Sequence, residues 1–333
     1  MPNRPSLPKL IRGSFAAGVL VITLLCIMPM NVVRLRHLSE YAVHVMFLWL
    51  ALSMFFLLLR REKMMWTALL AAGVLAIFLR DRSNVQLSAP VVLADQPQLT
   101  VGLFNTVNVD VLPRDFFSKM TAQPPDLLTI QEVDPRWRTL LLDSLGAVFP
   151  YHLEVRDLGT YGMLAFSKHP LTQRDSFRVA GSPVLVGELQ IPGTVQPLCF
   201  VATYVPPLLS SQALRQQQAV LDSLGTYCDR IRKPLVTLGA FNAVAWSAEM
   251  DRFLDQTLLQ NSRRGLGAFT EDNRPDPFDI QRDHIFFSNH FNRLSFRAVD
   301  WQGGGENNRH GGFVGTYQFA NILDDDPAAP AEF

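Results

Sequence analysis

Three uncharged apolar runs crowd the first 82 of 333 residues, and they constrain the organisation of the chain more than any other feature. "SFAAGVLVITLLCIMPMNVV" (Ser14–Val33) is long enough, at about 1.5 Å per helical residue, to cross a hydrocarbon core of about 30 Å. "YAVHVMFLWLALSMFFLLL" (Tyr41–Leu59) is a second run, with His44 near one end. "MMWTALLAAGVLAIFL" (Met64–Leu79) is a shorter third, flanked by Arg60, Arg61, Lys63 and Arg80. Residues 1–82 therefore read as a membrane anchor with three transmembrane helices. A cleaved signal peptide competes for the first run, but no small-residue cleavage site follows it and two further runs do. His44 reads as a helix-packing or interfacial residue.

Three spans put the N-terminus and the rest of the chain on opposite sides. Arg4, Lys9, Arg12, Arg60, Arg61 and Lys63 gather on one side, against Arg34, Arg36, Arg80 and Arg82 on the other. The positive-inside rule then places the anchor in a cell inner membrane and residues 83–333 outside the cytoplasm. The net charge of zero is a cancellation. Residues 1–82 hold 10 Lys/Arg and 3 Asp/Glu, which is +7, and the remainder holds 20 and 27, which is −7. A net-acidic domain disfavours tight, sequence-independent nucleic-acid binding, which relies on many cation–phosphate contacts. The three cysteines, Cys26, Cys199 and Cys228, have no metal-type spacing. The last two read as buried free thiols, with a disulfide between them as the alternative.

Residues 83–97 read as a linker, residues 98–320 as one domain and residues 321–333 as a frayed tail. Strand-like and helix-like segments alternate through the domain. Strands are expected at 99–104, 126–131, 162–167, 198–204, 235–238, 284–288 and 313–319, and helices at 113–120, 135–145, 210–231 and 248–259. This order predicts an α/β fold, a two-sheet sandwich with helices outside, whose strand-end loops carry the chemistry.

Polar residues sit where those strands end. "LTVGLFN" stops at Asn105, "DLLTIQE" at Glu132 and "PLVTLGAFN" at Asn242; "RDHIFFS" begins near Asp283, and "NNRHGGFVGTYQF" sets Arg309 and His310 before the final strand. Each alone reads equally as a turn or surface residue. Together with "PDLLTIQEVDPRW", "YGMLAFSKHPL", "VATYVPP" and "DHIFFSNHF", their order and spacing resemble the endonuclease/exonuclease/phosphatase superfamily, and within it a bacterial membrane-anchored branch. The resemblance implies a deoxyribonuclease-like four-layer sandwich and phosphoric-ester hydrolysis dependent on a divalent metal, usually Mg. It implies a metal held by Glu132 with Asn105, phosphate contact from Asn242, and a terminal His310 oriented by Asp283 to stabilise charge on the phosphoryl oxygen. Tyr204 stands where a strand-end His or Tyr is found. The implied partners are the membrane and a phosphate-bearing ligand, a lipid headgroup or nucleic acid; nothing points to a protein partner.

The departures from the family pattern carry as much weight. The Asp of its Gly-Asp-Phe-Asn motif, which activates water, is Ala240, and its Ser-Asp-His is Asn308-Arg309-His310. Two acids are missing, and one has become a cation. Three readings follow. The first is a degenerate site that binds phosphate through Arg309, His310 and Asn242 with impaired hydrolysis. The second is an active Mg-dependent phosphodiesterase with a substituted base, for which Asp276 and Asp279 are candidates. The third is a non-catalytic membrane interaction module.

Overall fold

The computed structural model describes residues 7–28, 32–82, 92–93, 96–106, 114–157, 161–263, 268–269, 275–276, 280–299 and 312–320. Four helices come first: α1 (Leu7–Ile27), α2 (Val33–Glu40), α3 (Ala42–Leu58) and α4 (Glu62–Asp81). Two stretches, Lys9–Ile27 and Glu62–Asp81, are long and apolar enough to cross a membrane. The expectation of three such helices is not met in full. The middle one, α3, has 17 residues, which gives a rise of about 25 Å against a core of about 30 Å. The first run also divides. Its helix stops at Ile27, and the polar sequence "VRLRHLSE" forms a separate short helix, α2.

The rest is a sandwich of two six-stranded sheets. The first takes β1 (Gln98–Asn105), β2 (Leu127–Gln131), β3 (Tyr151–Val155), β4 (Met163–Ser167), β13 (Phe291–Val299) and β14 (Gly312–Phe319) in the order β13-β14-β1-β2-β4-β3. The second takes β5 (Leu171–Val179), β6 (Ser182–Leu189), β7 (Leu198–Tyr204), β8 (Leu235–Ala240), β9 (Gln260–Asn261) and β12 (Asp283–Phe287) in the order β5-β6-β7-β8-β12-β9. A small hairpin pairs β10 (Ala268–Phe269) with β11 (Pro275–Asp276).

Strand alternation builds three apolar layers. On β7, Leu198, Phe200, Ala202 and Tyr204 face the other sheet, whereas Cys199 and Val201 face outward. Outward residues of the first sheet pack under α5 (Arg114–Ala122) and α6 (Pro135–Leu145) through Phe116, Trp137 and Leu141. Those of the second pack under α7 (Ser211–Asp229) and α8 (Ala248–Thr257) through Val220, Leu224 and Phe253. The result is helix, sheet, sheet, helix. Side-chain caps explain where three of the helices begin: Asp134 accepts from Trp137 N, Ser210 from Ala213 N and Ser247 from Met250 N.

Cys199 and Cys228 are buried and free, as the thiol reading expected, and so is Cys26. The end of the expected linker is tied to the domain. The Gln318 side chain bonds both backbone groups of Leu93, at 2.9 and 2.6 Å, and Phe319 N donates to Pro97 O at 3.1 Å. The expected tail, 321–333, lies outside the described residues.

Candidate active site

Register and alternation together bring the strand-end residues to one place. Parallel pairing of β1 with β2 sets Asn105 beside Gln131. Pairing of β8 with β7 and β12 sets Tyr204, Ala240 and Asp283 in a single row. Asn105 is in phase with Leu99, Val101 and Leu103, and Asp283 with Ile285 and Phe287, all in the layer between the sheets. The row Tyr204–Ala240–Asp283 on one sheet therefore confronts Asn105 and Gln131 on the other, at one end of the sandwich.

Glu132 follows β2 and enters the same space through a left-handed backbone, φ 59°. For a glutamate that conformation costs about 1 kcal/mol or more and persists only where surroundings enforce it. Here they do. Thr106 donates its hydroxyl to Glu132 O at 2.7 Å, and Asn105 Nδ2 donates to Glu132 Oε1 at 3.0 Å. Burial raises the Glu132 carboxyl above its ordinary range, opposed by the Asn105 hydrogen bond. The Asp283 carboxyl is pushed up to about 7 by burial first and the Glu132 charge second, with Arg282 acting in the opposite sense. The two acids thus repel each other across the site.

Asn242 also has a left-handed backbone, φ 49°, which asparagine tolerates well. Its side-chain Nδ2 donates to Val205 O at 2.8 Å, which ties the end of β8 to that of β7. Gly239, within β8, has φ 147°, and a Cβ there would lie 1.9 Å from Thr203 O, so only glycine fits this point of the strand. Tyr204 is buried, and its ring meets that of Tyr161 edge-on at 5.2 Å. Ala240 is 1% exposed, a methyl enclosed by the core where the family motif has a carboxylate.

Of the residues expected at the site, Asn105, Glu132, Tyr204, Asn242 and Asp283 gather there. Arg309 and His310 lie outside the described residues, as do Asp279 and the side chain of Asp276. Two residues were overlooked. Gln131 is fully buried in the inward phase, and neither Nε2 nor Oε1 has a hydrogen-bond partner. Its signal was available: with Thr129, it is a polar residue at the core phase of a strand whose other residues are Leu and Ile. Tyr161 gave no such signal.

Among the described residues no group of three or more His, Cys, Asp or Glu converges on one point. The donors present are oxygens of Glu132, Asp283 and an amide. Two mutually repelling carboxylates beside an amide suit a hard divalent cation that keeps much of its water. The donor set fits such an ion, sparsely.

None of the curated proteins compared with the chain matches it. Solved structures do. An endonuclease/exonuclease/phosphatase from Beutenbergia cavernae is 17% identical, with 67% of this chain and 72% of that chain covered and a TM-score of 0.53. One from Bacteroides vulgatus is 14% identical, covering 68% and 100%, with a TM-score of 0.54. TDP2 from D. rerio, in complex with a single-strand DNA product, is 14% identical, covering 66% and 98%, with a TM-score of 0.53. At these identities the likeness establishes the fold. The family model for the Endonuclease/Exonuclease/phosphatase family matches residues 106–305, well over half the chain, and with the two-sheet sandwich in hand the chain belongs to that family.

Proposed function

We propose that this chain is a membrane-anchored family member whose strand-end site takes a phosphate-bearing ligand together with a divalent ion, and whose hydrolytic step is impaired. The observation that carries the reading is Ala240. It sits in register between Tyr204 and Asp283, on the face turned toward the other sheet, with a side chain that can neither hold a water nor take its proton. Glu132 and Asn105 would hold the ion, which when bound would neutralise charge on a phosphate oxygen. Asn105 orients Glu132 by its 3.0 Å hydrogen bond. Asn242, with Arg309 and His310 as the resemblance implies, would supply phosphate contacts, and Tyr204 lies in the same row. Loss of a positioned base typically lowers the rate by about 10²–10⁴. The apolar helices Lys9–Ile27 and Glu62–Asp81 support a membrane anchor.

The test is hydrolysis of bis(p-nitrophenyl) phosphate in Mg²⁺ by the full chain and by Ala240→Asp/Arg309→Asp. Near-background turnover by the parent and a rise of about 10² or more in the variant is expected. A parent as fast as the variant would remove the claim of impairment.

A specific observation favours a second reading, slow Mg-dependent hydrolysis with a relocated base. Asp283 lies directly opposite Ala240 on the same face. Cross-strand Cα pairs lie about 4.5–5.5 Å apart, so its carboxyl reaches the space an acid at 240 would fill. In that case Asp283→Asn abolishes a measurable metal-dependent rate in the parent; an unchanged rate rejects this reading.

A further inference from the structure

The helical anchor does not hang loosely from the sandwich. It is bolted to the end that carries the site. Two charged residues of α2 are buried, Arg36 at 7% and Glu40 at 6% exposure, and both find their partners in the sandwich domain. Arg36 pairs with Glu249 in the first turn of α8, and Arg282 Nη2 donates to Glu40 Oε2 at 2.6 Å. Trp246 Nε1 donates to Ser39 O at 2.8 Å, and Arg82, just past α4, pairs with Asp251 at 2.8 Å. Val244 and Trp246 are buried in one apolar cluster with Ala42, Leu75 and Leu79.

The chain positions of these contacts give them meaning. Residues 244–251 follow Ala240 and Asn242, and Arg282 immediately precedes Asp283. Both segments that leave the site on the second sheet are seated on the helices. The Arg36–Glu249 pair is buried on both sides, and removing either partner would strand a buried charge, so the orientation is stiff.

Resting on the reading of a phosphate-binding site on a membrane anchor, we infer that the site opens onto the surface of the bilayer holding the helices and takes its phosphate from a lipid headgroup there. Two observations favour a headgroup over nucleic acid. The site end of the sandwich abuts the anchor, which brings Asn242 and Asp283 to the side from which a lipid phosphate would rise. The residues beyond 82 sum to 20 Lys/Arg against 27 Asp/Glu, −7, the wrong sign for a polyanion that needs many cationic contacts.

The experiment uses the full chain in digalactosyldiacylglycerol nanodiscs, a bilayer without phosphate headgroups, with Mg²⁺, following thermal melting of the sandwich. Three probes are compared: phosphatidic acid within the bilayer, soluble glycerol phosphate, and a single-stranded oligonucleotide. The bilayer-borne phosphate is expected to stabilise at a concentration about tenfold or more below the soluble one, through local confinement. Asn242→Ala, or Glu132→Gln should the first fail to fold, removes both responses. Arg36→Glu loses only the bilayer advantage, and Arg36→Glu/Glu249→Arg recovers it. Equal responses to lipid and glycerol phosphate overturn the membrane-facing inference and leave the phosphate site standing. A lipid response that survives Asn242→Ala and Glu132→Gln, or a stronger response to the oligonucleotide, overturns it as well. No response to any probe removes the phosphate site, and the inference with it.

Discussion

Asp283→Asn should make the domain more stable, and only above a certain pH. In the fold the Asp283 carboxyl titrates at about 7, against an ordinary value of 3.8, because burial and the Glu132 charge both disfavour its ionised form. An acid whose pKa is raised on folding binds its proton more tightly in the native state. Its cost to stability is absent below 3.8, grows as pH rises toward 7, and is complete above that. A difference of three units at about 1.4 kcal/mol each is about 4 kcal/mol, and solvent reaching this half-buried group reduces it toward about 2. For a domain of this size 1 kcal/mol moves Tm by roughly 2–4 °C. The Asn variant, followed by circular dichroism at pH 8 in chelator, is therefore expected to melt about 5–10 °C above the parent, and with the parent at pH 4. Mg²⁺ at pH 8 should narrow the gap by stabilising the parent selectively. A variant that melts with or below the parent at pH 8 would refute the argument that two acids are forced together here.

Other expectations follow from single residues. His284 is buried with Nε2 donating to Ala243 O at 2.8 Å, and burial pulls its pKa down to about 4 from 6.5. Its neutral form is the stabilising one, so stability is full above pH 6.5 and falls by about 3 kcal/mol toward pH 4; His284→Gln should flatten this limb of a pH–Tm curve. Gly239→Ala forces a Cβ against Thr203 O and should cost about 3 kcal/mol or more in denaturant melts, with loss of phosphate affinity as the Asn242 turn shifts. Arg36→Ala leaves Glu249 buried with only the Gln218 amide, at 3.3 Å, and the more distant Arg252, at 3.6 Å, among the described residues, and is expected to lower stability by about 3 kcal/mol, readable as faster proteolysis within residues 241–251.

The parts of the fold legible in the sequence are those where local physics and tertiary environment agree. The helix expected at 135–145 is α6 to the residue, since Asp134 caps it and Pro135 opens it. The strand expected at 198–204 is β7, whose apolar run is continuous because both faces are covered. Strand β5, "LTQRDSFRV", escaped notice as an exposed edge with no apolar alternation, and β13 was hidden by its interleaved arginines. The convergence of Asn105, Glu132, Asn242 and Asp283 was readable because strand ends in such a sandwich share one rim. Gln131 was passed over beside the more conspicuous Glu132. The role of α2 was not readable. Arg36 and Glu40 look like charges flanking apolar runs, and the partners that bury them, Glu249 and Arg282, lie more than 200 residues away.

Titration of the full chain with Mn²⁺, read by electron paramagnetic resonance of the free ion, tests the central claim most directly. One bound ion is expected in the parent, lost or weakened by about 1.4 kcal/mol or more in Glu132→Gln and retained in Ala240→Asp. Binding that is indifferent to Glu132→Gln, or absent from the parent, would mean that Glu132 and Asn105 do not form a metal site.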